Sequence, residues 1–187
     1  MPYGAHEAME AHEILSDTIN MIDHFAMYAT QCQDAELVQI LNRHIDQAIQ
    51  HYNNLVEYTH DYSQVPNTAT HTRSPVQPGQ IHYGLTNPQQ KAPQLRMSTM
   101  STQQIAHAVL SAHKNSAKNH MSAALECADP NVRQLMVDGA VACEQAAYEI
   151  FRYMNQKGWY QVPTLDNHTA KTMLHSYKAV QQPQPQM

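Results

Sequence analysis

The sequence has few charged residues, few glycines and no long apolar run. Asp, Glu, Lys and Arg make up 14% of its 187 residues, and the five glycines are dispersed. His, Asn, Gln or Asp interrupts each apolar stretch well before the roughly 20 apolar residues that a membrane-spanning helix needs. The N-terminal segment also lacks the basic patch and apolar stretch of a secretory signal. We therefore expect no membrane segment, and a protein that stays in the compartment where it is made.

Cysteine is scarce as well, and it does not occur in a metal-binding pattern. The three cysteines, Cys32, Cys127 and Cys143, cannot form an even set of disulfides, and no Cys-x-x-Cys pair suggests zinc or redox chemistry. The Lys and Arg residues are scattered and the formal net charge is −5, which argues against a nucleic-acid surface. There is no glycine-rich phosphate loop and no Ser-His-Asp order. We predict no nucleic-acid partner and no cofactor.

The sequence is instead rich in His, Tyr, Met and Gln. It has 13 His, 10 Tyr and 11 Met, and Gln occurs in pairs. This profile is unusual for an enzyme that acts on small molecules. Tyr, Gln and Lys are residues that protein cross-linking uses.

Apolar residues at alternating spacings of three and four predict four long helices. Three of the four predicted starts carry a capping signal: Asp34 before the second helix, Ser101 with Gln104 as a capping box before the third, and Asp129 followed by Pro130 before the fourth. The predicted helices cover about 7–33, 34–59, 101–128 and 130–157. The short connections within each pair predict antiparallel hairpins.

The remaining segments are predicted to be connections and tails. Residues 60–98 are rich in Pro, Thr, Gln and Asn without a sustained period, and we interpret them as a long crossover loop. Asp166 would cap a short helix over about 166–179, and the Gln/Pro tail at 181–187 should be disordered. Residues 1–180 are thus predicted to form a single domain.

The sequence also repeats itself at an offset that aligns Cys32 with Cys127. Leu37 then aligns with Val132, and Tyr58 aligns with Tyr153. Two similar hairpins, each with one apolar face, can bury those faces against each other. We predict an all-α, up-down four-helix bundle made of two repeated hairpins. The alternative is that the repeat reflects only a shared amphipathic period, but the coincident turns and caps argue against it.

Two stretches resemble the coat F family of bacterial spore coat proteins. They are ALECADPNVRQL, from Ala124 to Leu135, and EIFRYMNQKGWYQVP, from Glu149 to Pro163. The resemblance covers the second hairpin, roughly Ser101 to Pro163, and reaches the first hairpin only through the internal repeat. It implies a ferritin-like bundle that serves as a structural or assembly component of the spore coat. It also implies synthesis in the mother-cell cytoplasm and deposition in the coat, with other spore coat proteins as partners and a homo-oligomer left open.

A ferritin-like fold raises the question of a carboxylate-bridged metal pair. The sequence has one Glu-x-x-His string, from Glu57 to His60, and the repeat places Arg152 and Asn155 where its counterpart would be. Glu57 also falls opposite the apolar face of its helix. A di-iron or di-manganese site is therefore not predicted.

Four histidines on the inner faces form the candidate site. His113 and His120 lie in the apolar stripe of the third helix, and His44 and His51 flank the stripe of the second. Equal counting from the two turns places His51 level with His113, and His44 level with His120. The cluster either packs as neutral, hydrogen-bonded imidazoles or, with Cys143, holds a transition metal. The second interpretation carries the alternative function, a metal-binding ferritin-like protein or oxidoreductase, so catalysis stays undecided while the non-catalytic role is favoured.

Overall fold

The structure is a computed structural model that describes residues 4–61, 80–88, 90, 92–95 and 97–179. The described residues form helices and connecting segments but no strand. Its five helices are α1 (Ala5–Gln31), α2 (Ala35–Asp61), α3 (Thr102–Glu126), α4 (Pro130–Gln156) and α5 (Asn167–His175). The prediction of an all-α protein is confirmed for this part of the chain.

The α1–α2 and α3–α4 connections are each three residues long, and each ends in a capping aspartate. The Asp34 carboxylate accepts hydrogen bonds from the backbone N–H groups of Glu36 and Leu37, at 3.0 and 3.1 Å. Asp129 does the same at the start of α4, accepting from Asn131 and Val132 at 2.8 and 3.0 Å. Such short connections leave no room for a crossing, so each pair of helices runs antiparallel.

Each of the four long helices packs against two of the others. α1 packs on α2 and on α3, and α4 packs on the same two helices. The interior is apolar along most of its length because each helix turns one such stripe inward. The largest side chains that are wholly buried are Phe25, Leu37, Leu41, Ile105, Val109, Val132, Met136, Ile150 and Met154.

A tyrosine from the opposite hairpin lies near each capping aspartate, with a hydrogen bond at Asp129 but none to the Tyr153 hydroxyl among the described residues. The Tyr58 hydroxyl, at the end of α2, donates to the Asp129 carboxylate at 3.1 Å and accepts from the Asn131 side chain at 2.8 Å. Tyr153, its counterpart in α4, is buried, and burial followed by the nearby Asp34 carboxylate raises its pKa. Each capping aspartate is therefore matched with a tyrosine from the other hairpin, as the internal repeat implies.

The buried amide of Asn155 fixes the connection that precedes α3 against the end of α4. Its side-chain oxygen accepts from the backbone N–H of His82 at 2.8 Å, and its amide nitrogen donates to the carbonyls of His82 and Tyr160. Gly84 donates its backbone N–H to the Val162 carbonyl at 2.8 Å, with a φ of 99° that favours glycine. Residues 80–86 are thereby tied to the chain that leaves α4.

Some predicted segments lie wholly or partly beyond the described residues. Residues 62–79, 89, 91 and 96 of the expected crossover loop and the expected tail at 181–187 are outside them. The short helix α5 covers Asn167–His175, so it is shorter than the expected 166–179. No helix in the described ranges is long and apolar enough to cross a membrane.

Candidate functional site

All four candidate histidines line one small cavity between the long helices. The cavity measures about 30 Å³, and its wall includes small side chains of α4 together with Thr18 and Met21 of α1. His44, His113 and His120 are buried, and His51 is half-buried. The second hairpin makes room for these rings because it contributes Gly139, Ala142, Cys143 and Ala146 at this level.

A chain of hydrogen bonds connects the protein surface to this cavity. Arg43 donates to Glu149 Oε1 at 2.7 Å, and His44 Nε2 lies 2.9 Å from Glu149 Oε2. The other nitrogen of His44, Nδ1, lies 3.0 Å from His113 Nε2. The His113 ring then meets Phe25 edge-on, with ring centroids 5.0 Å apart. Four polar side chains from three helices thus form one continuous line.

The charge of Glu149, at the outer end of this series of hydrogen bonds, determines which ring nitrogens donate and which accept. Hydrogen bonds from His44 and Arg43 hold the pKa of Glu149 at about 2, so its carboxylate only accepts. In the tautomer of His44 that carries its one hydrogen on Nε2, this atom donates to Glu149, and Nδ1 accepts from His113 Nε2. His113 then carries its lone pair on Nδ1, and this atom is buried without a hydrogen-bond partner among the described residues.

Burial keeps the inner rings uncharged. Desolvation first, and the neighbouring His44 second, lower the pKa of His113 to about 3. Desolvation also lowers the pKa of His120, against the opposing effect of its hydrogen bond to the Ser116 carbonyl. A charged ring at His113 or His120 would lose its hydration, and the carboxylates of Glu149 and Asp17 offset only part of this cost. The site is therefore a neutral polar centre with one charged end at the surface.

The second layer of the site is built around His120. Its Nδ1 lies 2.9 Å from the Ser116 carbonyl oxygen, and the Cys143 thiol donates to the Ser116 hydroxyl at 3.3 Å. The ring covers Gly139 so closely that a β-carbon there would overlap it. Burial raises the pKa of Cys143, so the thiol stays protonated and is a weak nucleophile and ligand.

The pairing of the histidines differs from the one expected from the sequence. His113 lies against His44 and Phe25, whereas counting from the turns placed it level with His51. The expected closeness of His120 and Gly139 is present. The two turns lie at opposite ends of the helices, because the end of α2 contacts Asp129 and the end of α4 contacts Asp34. Equal counts from the two turns therefore do not give equal levels, and the expected pairing was wrong.

The residues present do not form a conventional metal centre. In the part of the chain that the structure describes, no three His, Cys, Asp or Glu side chains approach closely enough to hold a metal ion. Glu57, the acidic member of the Glu-x-x-His string, is exposed on α2. One ring nitrogen of the site, His113 Nδ1, is buried and has no hydrogen-bond partner among the described residues.

Several functional side chains were missed by the sequence reasoning. Neither Arg43 nor Glu149 was predicted to be a partner of the histidines, yet Glu149 hydrogen-bonds both Arg43 and His44. Glu7 is buried and accepts from the backbone N–H groups of Ala128 and Asp129 at 2.8 and 2.6 Å. These contacts join residues more than 100 positions apart, so no local pattern signals them.

Comparison with known proteins identifies the family. Residues 101–163, which comprise α3, α4 and the exit from α4, match the Coat F domain. Over 182 residues the chain is 32% identical to the spore coat protein F-like protein YhcQ of Bacillus subtilis, covering 97% of this chain and 83% of that protein. The chain belongs to the coat F family of spore coat proteins. No solved structure matches it.

Membership of the coat F family confirms the resemblance inferred from the two stretches that flank and end α4. The family match contains His113, His120, Cys143 and Glu149, and the longer alignment extends over the first hairpin that supplies His44. The polar centre is thus assembled from both halves of a coat F chain.

Proposed function

We propose that this protein is a non-catalytic structural component of the spore coat, built as a ferritin-like four-helix bundle. Family membership supports the coat assignment. The observation that supports a structural role is the state of the polar centre: its inner imidazoles are neutral and its thiol is protonated. Substrate chemistry requires an accessible activated group, and a cavity of about 30 Å³ has room for little more than water.

In this proposal the histidine centre sets the register of the helices. A buried polar group must be matched by a partner, so any sliding of α2 against α3 would break the His44–His113 bond. The protein would be made in the mother cell and assembled with other coat proteins. Its Tyr- and Gln-rich surface suits packing against such neighbours and cross-linking to them.

The test is to produce the chain in sporulating Bacillus subtilis from either a mother-cell or a forespore promoter. We expect the chain from the mother cell to be enriched in the purified coat fraction, and the chain from the forespore to be absent from it. A helical cytoplasmic protein of similar size, produced in the same way, controls for trapping. Equal recovery of both proteins in the coat fraction would contradict the proposal.

A second candidate function, metal binding, rests on the unpartnered lone pair of His113 Nδ1. Neutral imidazole is a common transition-metal ligand, and Cys143 lines the same cavity. Elemental analysis of the untagged protein tests this candidate, with a variant in which His44, His51, His113 and His120 are replaced by Gln as the comparison. About one metal per chain that disappears in the variant would favour metal binding, and a metal-free folded protein would leave the structural role.

A further inference from the structure

The short helix α5 exposes an apolar side to solvent. Met173 and Leu174 are 59% and 69% exposed, and no residue of the helix is buried. The Asp166 carboxylate caps it by accepting from the N–H groups of His168 and Thr169. A cap alone does not make such a helix stable, because an isolated helix shorter than about 12 residues is marginal in water. Its apolar side therefore needs a partner surface.

Charge is divided unevenly between the two parts of the chain. Residues 1–61 contain ten acidic residues and one Lys or Arg, a net −9, whereas residues 62–187 contain six acidic and ten basic residues, a net +4. Near α5 the basic residues are Lys171 in the helix and Lys178 just beyond it, both exposed. The first hairpin and the C-terminal helix thus have opposite charge.

The first hairpin carries exposed apolar and acidic side chains on its outside, which complement the apolar and basic side chains of α5. We call this surface the outer seam. It consists of Ile19 and Asp23 from α1 with Asp46 and Ile49 from α2. The two isoleucines are 46% and 41% exposed, and they are equally distant from Asp34, so in an antiparallel hairpin they lie at one level. One turn nearer to Asp34, the two aspartates are exposed at a second level. No salt bridge in the described ranges neutralises either carboxylate.

We propose that α5 of one copy docks on the outer seam of a second copy. Met173 and Leu174 would cover the exposed isoleucines, while Lys171 and Lys178 would approach Asp23 and Asp46. The contact combines apolar burial with opposite charge, which favours one orientation and suppresses like-charged alternatives. This inference deepens the structural role proposed above, because it gives the chain a way to assemble with itself.

The occupant is a second copy because the chain's own α5 is poorly placed to reach its outer seam. Val162 is tied to Gly84, which leaves four residues before α5 and a reach of about 13 Å. The isoleucines lie 15 residues from Asp34, or about 22 Å along the helices. Lys157, at the end of α4, contacts Asp34, so α5 starts near the distant end of the hairpin. Little length remains to pass around to the outer side.

Such a contact would join two different surfaces of the same chain. Contacts of this kind repeat from copy to copy and build a ring or an open chain, unless two copies exchange their helices reciprocally. A coat component would gain from this geometry, because each added copy presents a new outer seam.

The test uses charge reversal in the full-length protein and measures association by sedimentation velocity between about 5 and 200 μM, a range that brackets weak self-association. One variant carries K171E and K178E, and the other carries D23K and D46K. We expect the wild type to associate with rising concentration, and each variant alone to associate at least tenfold more weakly. An equal mixture should regain association, because both of its unlike contacts join opposite charges.

Three results would overturn the inference. They are a wild type that stays monomeric throughout the range, variants that associate like the wild type, and a mixture that stays monomeric although both variants give native circular dichroism. Docking of α5 on its own chain would appear as a concentration-independent monomer and belongs to the first result. Recovery in the spore coat is measured separately, so loss of self-association with normal coat recovery would refute only this inference.

Discussion

The neutral state of the histidine centre predicts that acid destabilises the protein well above the pH at which carboxylates titrate. The pKa of His113 is about 3 in the fold, against 6.5 in an unfolded chain. The unfolded chain therefore binds the proton first as the pH falls. The stabilisation from the neutral ring is fully present above the unfolded value and is lost on acidification from about pH 7 towards pH 3.

The magnitude follows from this difference in proton binding. Between pH 7 and pH 5 the unfolded state takes up nearly one proton at His113 while the folded state takes up almost none, which costs about 2 kcal/mol. The lowered pKa of His120 adds to the loss in the same direction. Glu149, with a pKa of about 2, contributes only at lower pH, since its stabilisation is lost below the usual range of a carboxyl. The window from pH 7 to pH 5 thus isolates the imidazoles.

The assay is urea unfolding followed by far-UV circular dichroism at pH 7, 6 and 5. We expect the midpoint to fall by about 1 M urea across this range, given a typical denaturant slope for a chain of this size. His113→Gln should be less stable at pH 7 but show a shallower dependence on pH. The matched control, exposed His24→Gln, should keep the wild-type slope. A wild-type midpoint that is constant from pH 7 to pH 5 would refute the reasoning.

Three further predictions concern single contacts. Gly139→Ala should lower the free energy of unfolding by about 1–3 kcal/mol, because the new β-carbon overlaps the His120 ring. Adding His120→Ala should cancel this overlap penalty, and additive losses in thermal unfolding would contradict the prediction. Glu7→Gln should cost about 1–3 kcal/mol in urea unfolding, because a buried charged acceptor at the α3–α4 turn is replaced by a neutral one. Asn155→Ala should speed chymotryptic cleavage at Tyr83, and an unchanged rate would show that the amide does not hold this segment.

Local signals account for the parts of this protein that were predictable. The caps at Asp34, Ser101 and Asp129 act within a few residues of themselves, and the structure contains each of them as a hydrogen bond. The apolar period required only that one face of each helix be buried. Both kinds of signal are short-range, so they can be recognised without knowing the path of the chain.

The amino-acid sequence by itself determined the all-α class, the capped turns, the repeat and the coat F family. The tertiary structure alone decided that His44 meets His113, that Glu149 and Arg43 complete their chain, and that Glu7 caps a turn 121 residues away. The physical reason is that contacts between helices depend on the relative level of the helices, which no single helix's sequence specifies. Facing helices select partners by their relative level, and a shift of one helical turn, about 5.4 Å, replaces every partner while leaving each helix's own pattern unchanged.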